Sequence, residues 1–190
     1  MAVSRSAANE QPLDAALPAA MLGEAWALRV LYDNLAPRVL AYLRSRGASE
    51  PEDLTSEVFL TVFPRLAKVT GGAAGLTTFV FSVAHARFVD DVRRRARAPG
   101  RTEFDAELDG GTAPSAEDTA GISLGTASVL AMLAGLPDAQ REVLTLRIMA
   151  DLTVEQVAAT LGRSPGAVKQ LQRRGLLTVR ELLQQDGVPL

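Results

Sequence analysis

The stretch LTVEQVAATLGRSPGAVKQLQRRGLLTVRELL, residues 152–183, decides the fold. Val154, Val157 and Leu161 recur at helical spacing, and Gly162 follows as a stop that tolerates the left-handed backbone. Ser164 then offers a hydroxyl to the first free N–H groups of a second helix, with Pro165 at its first position, where a missing N–H costs nothing. Val168 and Leu171 turn back toward the first helix, and Ala158, four residues before Gly162, leaves room for a steep crossing. Several independent requirements of a helix-turn-helix therefore coincide. With Val168 and Leu171 inward, the outward set is Ser164, Pro165, Gly166, Ala167, Lys169, Gln170, Gln172, Arg173 and Arg174. Amides in that set suit base edges and cations suit phosphates, so the second helix reads as a duplex-recognition helix rather than a packing unit.

Upstream, Leu130, Leu133 and Leu136 before Pro137, then DAQREVLTLRIM at 138–149, supply two helices that support this unit. Before them, residues 102–128 carry six acidic and no basic side chains among Gly, Ala, Ser and Thr, without sustained periodicity, which reads as a flexible acidic linker. Charge is segregated although the net value is only −2. Between His85 and Arg101 six arginines face two aspartates, and from Arg163 to Arg180 five basic residues face no acid. An average near neutrality thus hides two basic faces divided by an acidic tether.

The N-terminal half is also helical in pattern. Ala25 to Arg46 reads as a helix pair with Pro37 in the first turn of its second member. SEPEDLTSEVFLTVFPRL (49–66) reads as an amphipathic helix capped by Ser49, with Pro51 and Glu52 in its first turn. After the Gly-rich loop around Gly71, Gly72 and Gly75, Leu76 to Arg97 forms a helix that becomes basic toward its C-terminus, the sign its dipole favours. Phe79, Phe81 and Phe88 on that helix suit a core, and their placement on different faces leaves one for stacking on an unpaired base. The expected fold is all-α, with two small helical domains joined by the flexible acidic linker. Its divisions are a disordered tail at 1–20, a first domain at 21–101, the linker at 102–126 and the helix-turn-helix domain at 127–190.

Composition narrows function further. There is no cysteine and one histidine, so thiolate metal sites, disulfides and cysteine nucleophiles are excluded. His85 beside Asp90 and Asp91 has neither a second histidine nor a nucleophile, which argues against catalysis; neither cofactor nor metal is expected. No apolar run reaches the roughly 20 residues of a membrane span, and the polar, Ala-rich start lacks a signal-peptide pattern, so a cytoplasmic protein without membrane insertion is expected.

Two blocks, EPEDLTSEVFLTVFPRL with FVFSVAHARFVDDVRRRAR and then LAGLPDAQREVLTLRIMADLTVEQVAATLGRSPGAVKQLQRRG, resemble the second and fourth conserved regions of extracytoplasmic-function sigma factors of bacterial RNA polymerase. The resemblance implies promoter-specific initiation with core polymerase, met at its largest-subunit clamp helices and flap, with promoter DNA and with an inhibitory anti-sigma factor. By that resemblance Asp53, Leu54, Glu57, Val58 and Phe59 face polymerase. Phe81, His85, Arg87, Phe88, Asp90, Asp91, Arg93 and Arg94 face the minus-ten element, and the Ser164 to Arg174 face reads the minus-thirty-five element. The chain departs from the family pattern at Phe79, His85 and Ala86, where Trp, Arg and Asn are usual. A neighbouring reading is a stand-alone helix-turn-helix regulator, which would bind a palindromic duplex without polymerase.

Overall fold

The structure is a computed structural model that describes residues 5–97 and 132–185, with side chains described from residue 12 to residue 184 within those spans. The linker at 102–126 lies outside the described residues. Seven α-helices are seen among them: α1 (Arg5–Met21), α2 (Ala25–Ser45), α3 (Pro51–Val62), α4 (Gly72–Arg97), α5 (Asp138–Ile148), α6 (Val154–Leu161) and α7 (Pro165–Gln185). A 3-10 turn, Phe63–Lys68, joins α3 to α4. No strand occurs among the described residues.

The first domain packs α1 to α4 around Leu31, Leu35, Tyr42, Leu43, Leu54, Val58, Leu66, Leu76, Val80 and Phe81, all nearly inaccessible to solvent. Its N-terminal end departs from the expectation of a disordered tail over 1–20, because α1 occupies most of it and buries Leu13, Ala16, Leu17 and Ala20. Those positions follow helical spacing, but two are alanines and the segment contains Pro12 and Pro18, so the apolar stripe is faint in sequence. Asp14 adds a reason for order: its carboxylate accepts the Ala73 N–H at 2.7 Å and so caps α4 from a different helix. Gly75 is fixed by the same loop, since a Cβ there would lie 1.7 Å from the Thr70 carbonyl oxygen.

Two local expectations change. Residues 25–45 form one helix that runs through Pro37 instead of a pair. An interior proline costs about 3 kcal/mol, and the continuous buried stripe of Ala27, Leu31, Leu35, Val39, Tyr42 and Leu43 offsets it. Ser49 does not cap α3, whose N-cap position is Glu50 without a side-chain cap. The Ser49 hydroxyl and N–H instead donate to Asp91 at 2.8 and 3.2 Å, tying the α2–α3 loop to α4.

The helix-turn-helix forms as its sequence dictates. Thr153 accepts the Gln156 N–H at 3.2 Å while the Gln156 side chain accepts the Thr153 N–H at 2.6 Å, a reciprocal capping box. Gly162 closes α6 with φ +61°, and the Ser164 hydroxyl accepts the Ala167 N–H at 3.2 Å to start α7. Gly175, unfavourable by about 1 kcal/mol in a helix interior, lets α7 approach α5, because a Cβ there would come within 2.8 Å of the Leu144 side chain. The two domains touch: Val143, Leu146, Ala150, Val157 and Ala158 continue the apolar core of α1 to α4.

Candidate nucleic-acid interface

The α7 face is open. Ser164, Pro165, Gly166, Lys169, Gln170, Arg173 and Arg174 are exposed, and Ala167 and Gln172 are half-buried. Val168 is fully buried on the opposite side, so the recognition face stands on a fixed base. Beyond it Leu176 and Leu177 remain about half exposed and, with Val154, form the apolar floor of a shallow groove edged by Lys169, Arg173 and Arg180. Nothing in the charge pattern alone marks those leucines as surface residues.

The α4 face is different. Phe81 is fully buried, edge-on to Tyr42 with ring centroids 5.9 Å apart and with the Arg38 guanidinium 5.9 Å from its ring. Phe88 is 7% exposed under the Arg46 guanidinium, 5.0 Å from its centroid. These two rings are core, and Phe79 is half-buried against the same core, so of the three aromatics of α4 it is Phe79 that keeps part of its surface open.

Asp91 is likewise withdrawn, its side chain inaccessible and held by Ser49, Arg94 and Arg95 at 2.8 to 3.2 Å. Burial alone would raise its pKa; hydrogen bonds from Ser49 and Arg94 outweigh that and hold the carboxylate below its ordinary range. What remains outward is Asp90, Arg93 and Arg94, which with Arg97 line a shallow, strongly charged groove at the end of α4. Arg87 is half-buried and donates to the Thr61 hydroxyl at 2.9 Å while lying 3.7 Å from Glu57.

His85 sits between domains. Its Nδ1 lies 3.1 Å from the Tyr42 hydroxyl and 3.4 Å from Glu142 of α5. Burial is the main influence and lowers its pKa, with Glu142 opposing and Arg46 and Arg163 reinforcing, so the neutral ring is favoured. Arg46 completes the cluster: it grips Asp138 with two hydrogen bonds of 2.6 and 3.1 Å and lies 3.3 Å from Glu142. Burial is the largest single influence on Asp138 and raises its carboxyl, but the Arg46 hydrogen bond together with the charges of Arg46, Arg141 and Arg163 outweighs it and the net shift is downward. Sequence reasoning missed Arg46, Asp138 and Glu142 altogether, since each sits in an ordinary helical pattern and only tertiary contact unites them.

On α3 the expected polymerase-facing set divides. Asp53 is exposed and Glu57 half-buried, whereas Leu54, Val58 and Phe59 lie in the core. The apolar residue on the outer side is Leu60, 75% exposed, which shares a helical face with Asp53 and Glu57. Its signal was its position, seven residues after Asp53 on a polar stripe. Among the described residues no cluster of His, Asp and Glu could hold a metal ion, and no helix is long and apolar enough to cross a membrane.

Family models agree with this two-part layout: sigma-70 region 2 matches residues 31–98 and sigma-70 region 4 matches residues 132–181. The chain is 35% identical to the ECF RNA polymerase sigma factor ShbA of Streptomyces griseus over 178 residues, 87% of this chain and 92% of ShbA. It is 32% identical to the ECF RNA polymerase sigma factor BldN of Streptomyces coelicolor, over 88% of this chain and 64% of BldN. Among solved structures it shares its fold with CnrH, determined in complex with the cytosolic domain of CnrY, at a TM-score of 0.61 and 19% identity over 92% of this chain and 99% of that one. An all-helical chain with both conserved regions in order, and this degree of identity to ShbA over nearly its whole length, belongs to the extracytoplasmic-function sigma factors, transcription initiation factors and not enzymes.

Proposed function

We propose that the protein directs core RNA polymerase to a set of promoters, with α7 reading the minus-thirty-five element in the major groove and the charged end of α4 contacting the minus-ten element. The observation that carries this reading is the bare α7 face, on which Lys169, Gln170, Arg173 and Arg174 project from a helix capped by Ser164 and anchored by Val168. At the minus-ten element the contacts are Asp90, Arg93, Arg94 and Arg97 at the open end of α4, with the half-buried Arg87 and His85 further back along the same helix. Polymerase docking uses Asp53, Glu57 and Leu60 of α3, where two acids flank an exposed apolar side chain in a pattern suited to a basic clamp surface. An anti-sigma factor fits as inhibitory partner, since CnrH, which has the same fold, is solved with a partner polypeptide bound.

The deciding experiment is in vitro transcription from a genomic fragment library with purified core polymerase. Discrete start sites that depend on both the protein and the polymerase are expected. Tight binding of a palindromic duplex by the protein alone, without polymerase-dependent transcripts, would make it a stand-alone regulator instead.

A further inference from the structure

Asp91 carries its charge where DNA cannot reach it. Its side chain is inaccessible, so it touches no base or phosphate, yet it lies one turn before arginines of the charged groove at the end of α4. One carboxylate oxygen accepts the Ser49 hydroxyl at 2.8 Å and an Arg94 N–H at 3.0 Å; the other accepts the Ser49 N–H at 3.2 Å and lies 3.2 Å from Arg95 Nε. Ser49 belongs to the α2–α3 loop, so the carboxylate is fixed from a second element and does not swing with the arginines it holds. Those two arginines differ in what they can do. Arg95, mostly buried, balances the carboxylate from the inner side, whereas Arg94 leaves its side chain 65% exposed to the groove. Arg93 has no such anchor: Asp90, 3.7 Å away, is itself exposed, and an exposed pair of that kind restrains little.

We infer that Asp91 is a positioning residue for the minus-ten contact: through a carboxylate locked by Ser49 it presets Arg94, and not Arg93, for a phosphate of the promoter. The inference rests on the minus-ten reading for its consequence and on the Asp91 geometry for its existence. An arginine loses much rotamer freedom when it binds, and one whose direction is set beforehand loses less, so the gain appears as affinity without an added contact. Charge alone predicts the reverse. A carboxylate beside the path of the DNA repels phosphate, and neutralising it would tighten binding, whereas loss of an anchor loosens it. Anchor and bare charge thus predict effects of opposite sign.

The test uses the full-length chain assembled with core polymerase and a fluorescent forked oligonucleotide carrying the minus-ten element of a promoter found in the fragment-library transcription. Binding is read at a temperature where circular dichroism shows every variant fully helical. Asp91→Asn keeps an oxygen for Ser49 and removes the charge that holds Arg94. It is expected to weaken oligonucleotide binding by about two- to tenfold, the range for immobilising one long side chain, with core affinity unchanged. The same substitution should add nothing in an Arg94→Ala background and keep its full effect in an Arg93→Ala background. A merely structural carboxylate would weaken binding equally in both backgrounds; that result, or tighter binding by Asp91→Asn, overturns the inference. Should Asp91→Asn not fold, Ser49→Ala loosens the same carboxylate without changing charge, and the same dependence on background is expected at smaller size. Side-chain nitrogen NMR of the free chain reads the anchor without DNA: one guanidinium, absent in Arg94→Ala, should show hindered rotation that Asp91→Asn or Ser49→Ala releases. A freely rotating Arg94 in the natural chain overturns the inference. A hindered Arg94 in a chain that never initiates with polymerase would instead sink the initiation-factor reading, with the anchor itself upheld.

Discussion

Helices α4 and α7 carry the two basic stretches of the chain, and their sequences invite the same interpretation, yet they present themselves to solvent in opposite ways. Helix α7 buries Val168 and leaves Ser164, Lys169, Gln170, Arg173 and Arg174 exposed, with Gln172 half-buried beside them. Helix α4 lies between α1, α2 and α3 on one side and α6 on another, so Phe81, Phe88 and Asp91 disappear inward and only its last turns remain open. Residue type thus predicts an interface well for a helix with one packed face and poorly for a helix packed on several. The exposed polar residues of α7 at Lys169, Gln170, Arg173 and Arg174 follow from periodicity, whereas its half-exposed Leu176 and Leu177 do not. For α4 periodicity leaves several faces undecided, and tertiary contact selects among them.

The largest test of this contrast is Phe81→Ala. A ring that is fully buried against Tyr42 should cost about 3–5 kcal/mol when truncated, read as a shift of the urea midpoint followed by circular dichroism. A ring held out for stacking on a base would instead leave stability unchanged and reduce promoter opening. Unaltered stability with impaired opening would place Phe81 back at the DNA.

Asp91 comes next. Removing a buried carboxylate that accepts from Ser49 and Arg94 and is ion-paired with Arg95 should cost about 2–3 kcal/mol in Asp91→Ala. The sign with pH follows from its lowered pKa in the folded chain. Stability from Asp91 is fully present above its ordinary value of 3.8 and is lost as pH falls through the lower folded value. Urea titrations at pH 7 and in strong acid should therefore show a smaller acid loss for Asp91→Asn than for the natural chain. Equal acid losses would assign the acid sensitivity to other carboxylates.

How far the chain was legible depends on the same distinction. Gly162, Ser164 and Pro165 announce the helix-turn-helix because caps and turns are local chemistry, and the structure places each in the expected role. Helix α1 was not legible: alanines give a weak stripe, and its ordering depends on burial of Leu13 and Leu17 and on Asp14 reaching α4. Ser49 illustrates the limit from another side. Its position suits an N-cap, but a buried carboxylate 42 residues away competes for the hydroxyl and wins. The same holds for Arg46 with Asp138 and Glu142, 92 and 96 residues downstream, for which no local pattern exists.

A smaller effect on stability, with a clear effect on binding, is expected on the open face of α7. Lys169→Ala with Arg173→Ala changes exposed side chains, so the urea midpoint should move by no more than about 0.5 kcal/mol per site. Duplex affinity should fall, and the slope of log affinity against log salt should become shallower by about 0.9 for each phosphate contact removed. A loss of affinity with an unchanged slope would mean that these cations read base edges or act at a distance. Arg93→Ala with Arg94→Ala should leave this duplex slope nearly unchanged and impair opening of the promoter, which keeps the two basic helices functionally distinct.

The smallest effect on folding is expected within α3, where one helix contains both kinds of face. Leu54, Val58 and Phe59 are core, whereas Asp53 is exposed and Glu57 is half-buried with a surface ion pair to Arg87 at 3.7 Å. Such a pair contributes between zero and about 1 kcal/mol, so Asp53→Lys with Glu57→Lys should leave the urea midpoint almost where it was. If the outer face meets a basic surface of polymerase, the same double reversal places like charges together and should weaken assembly with core by about tenfold or more, through slower association at low salt. Leu60→Ala separates the apolar part of the contact from the charged part. It should weaken assembly without changing the salt dependence, because Leu60 carries no charge and is already 75% exposed in the free chain. Core binding that is indifferent to all three changes would mean that α3 presents an ordinary solvated face and that polymerase is held elsewhere on region 2.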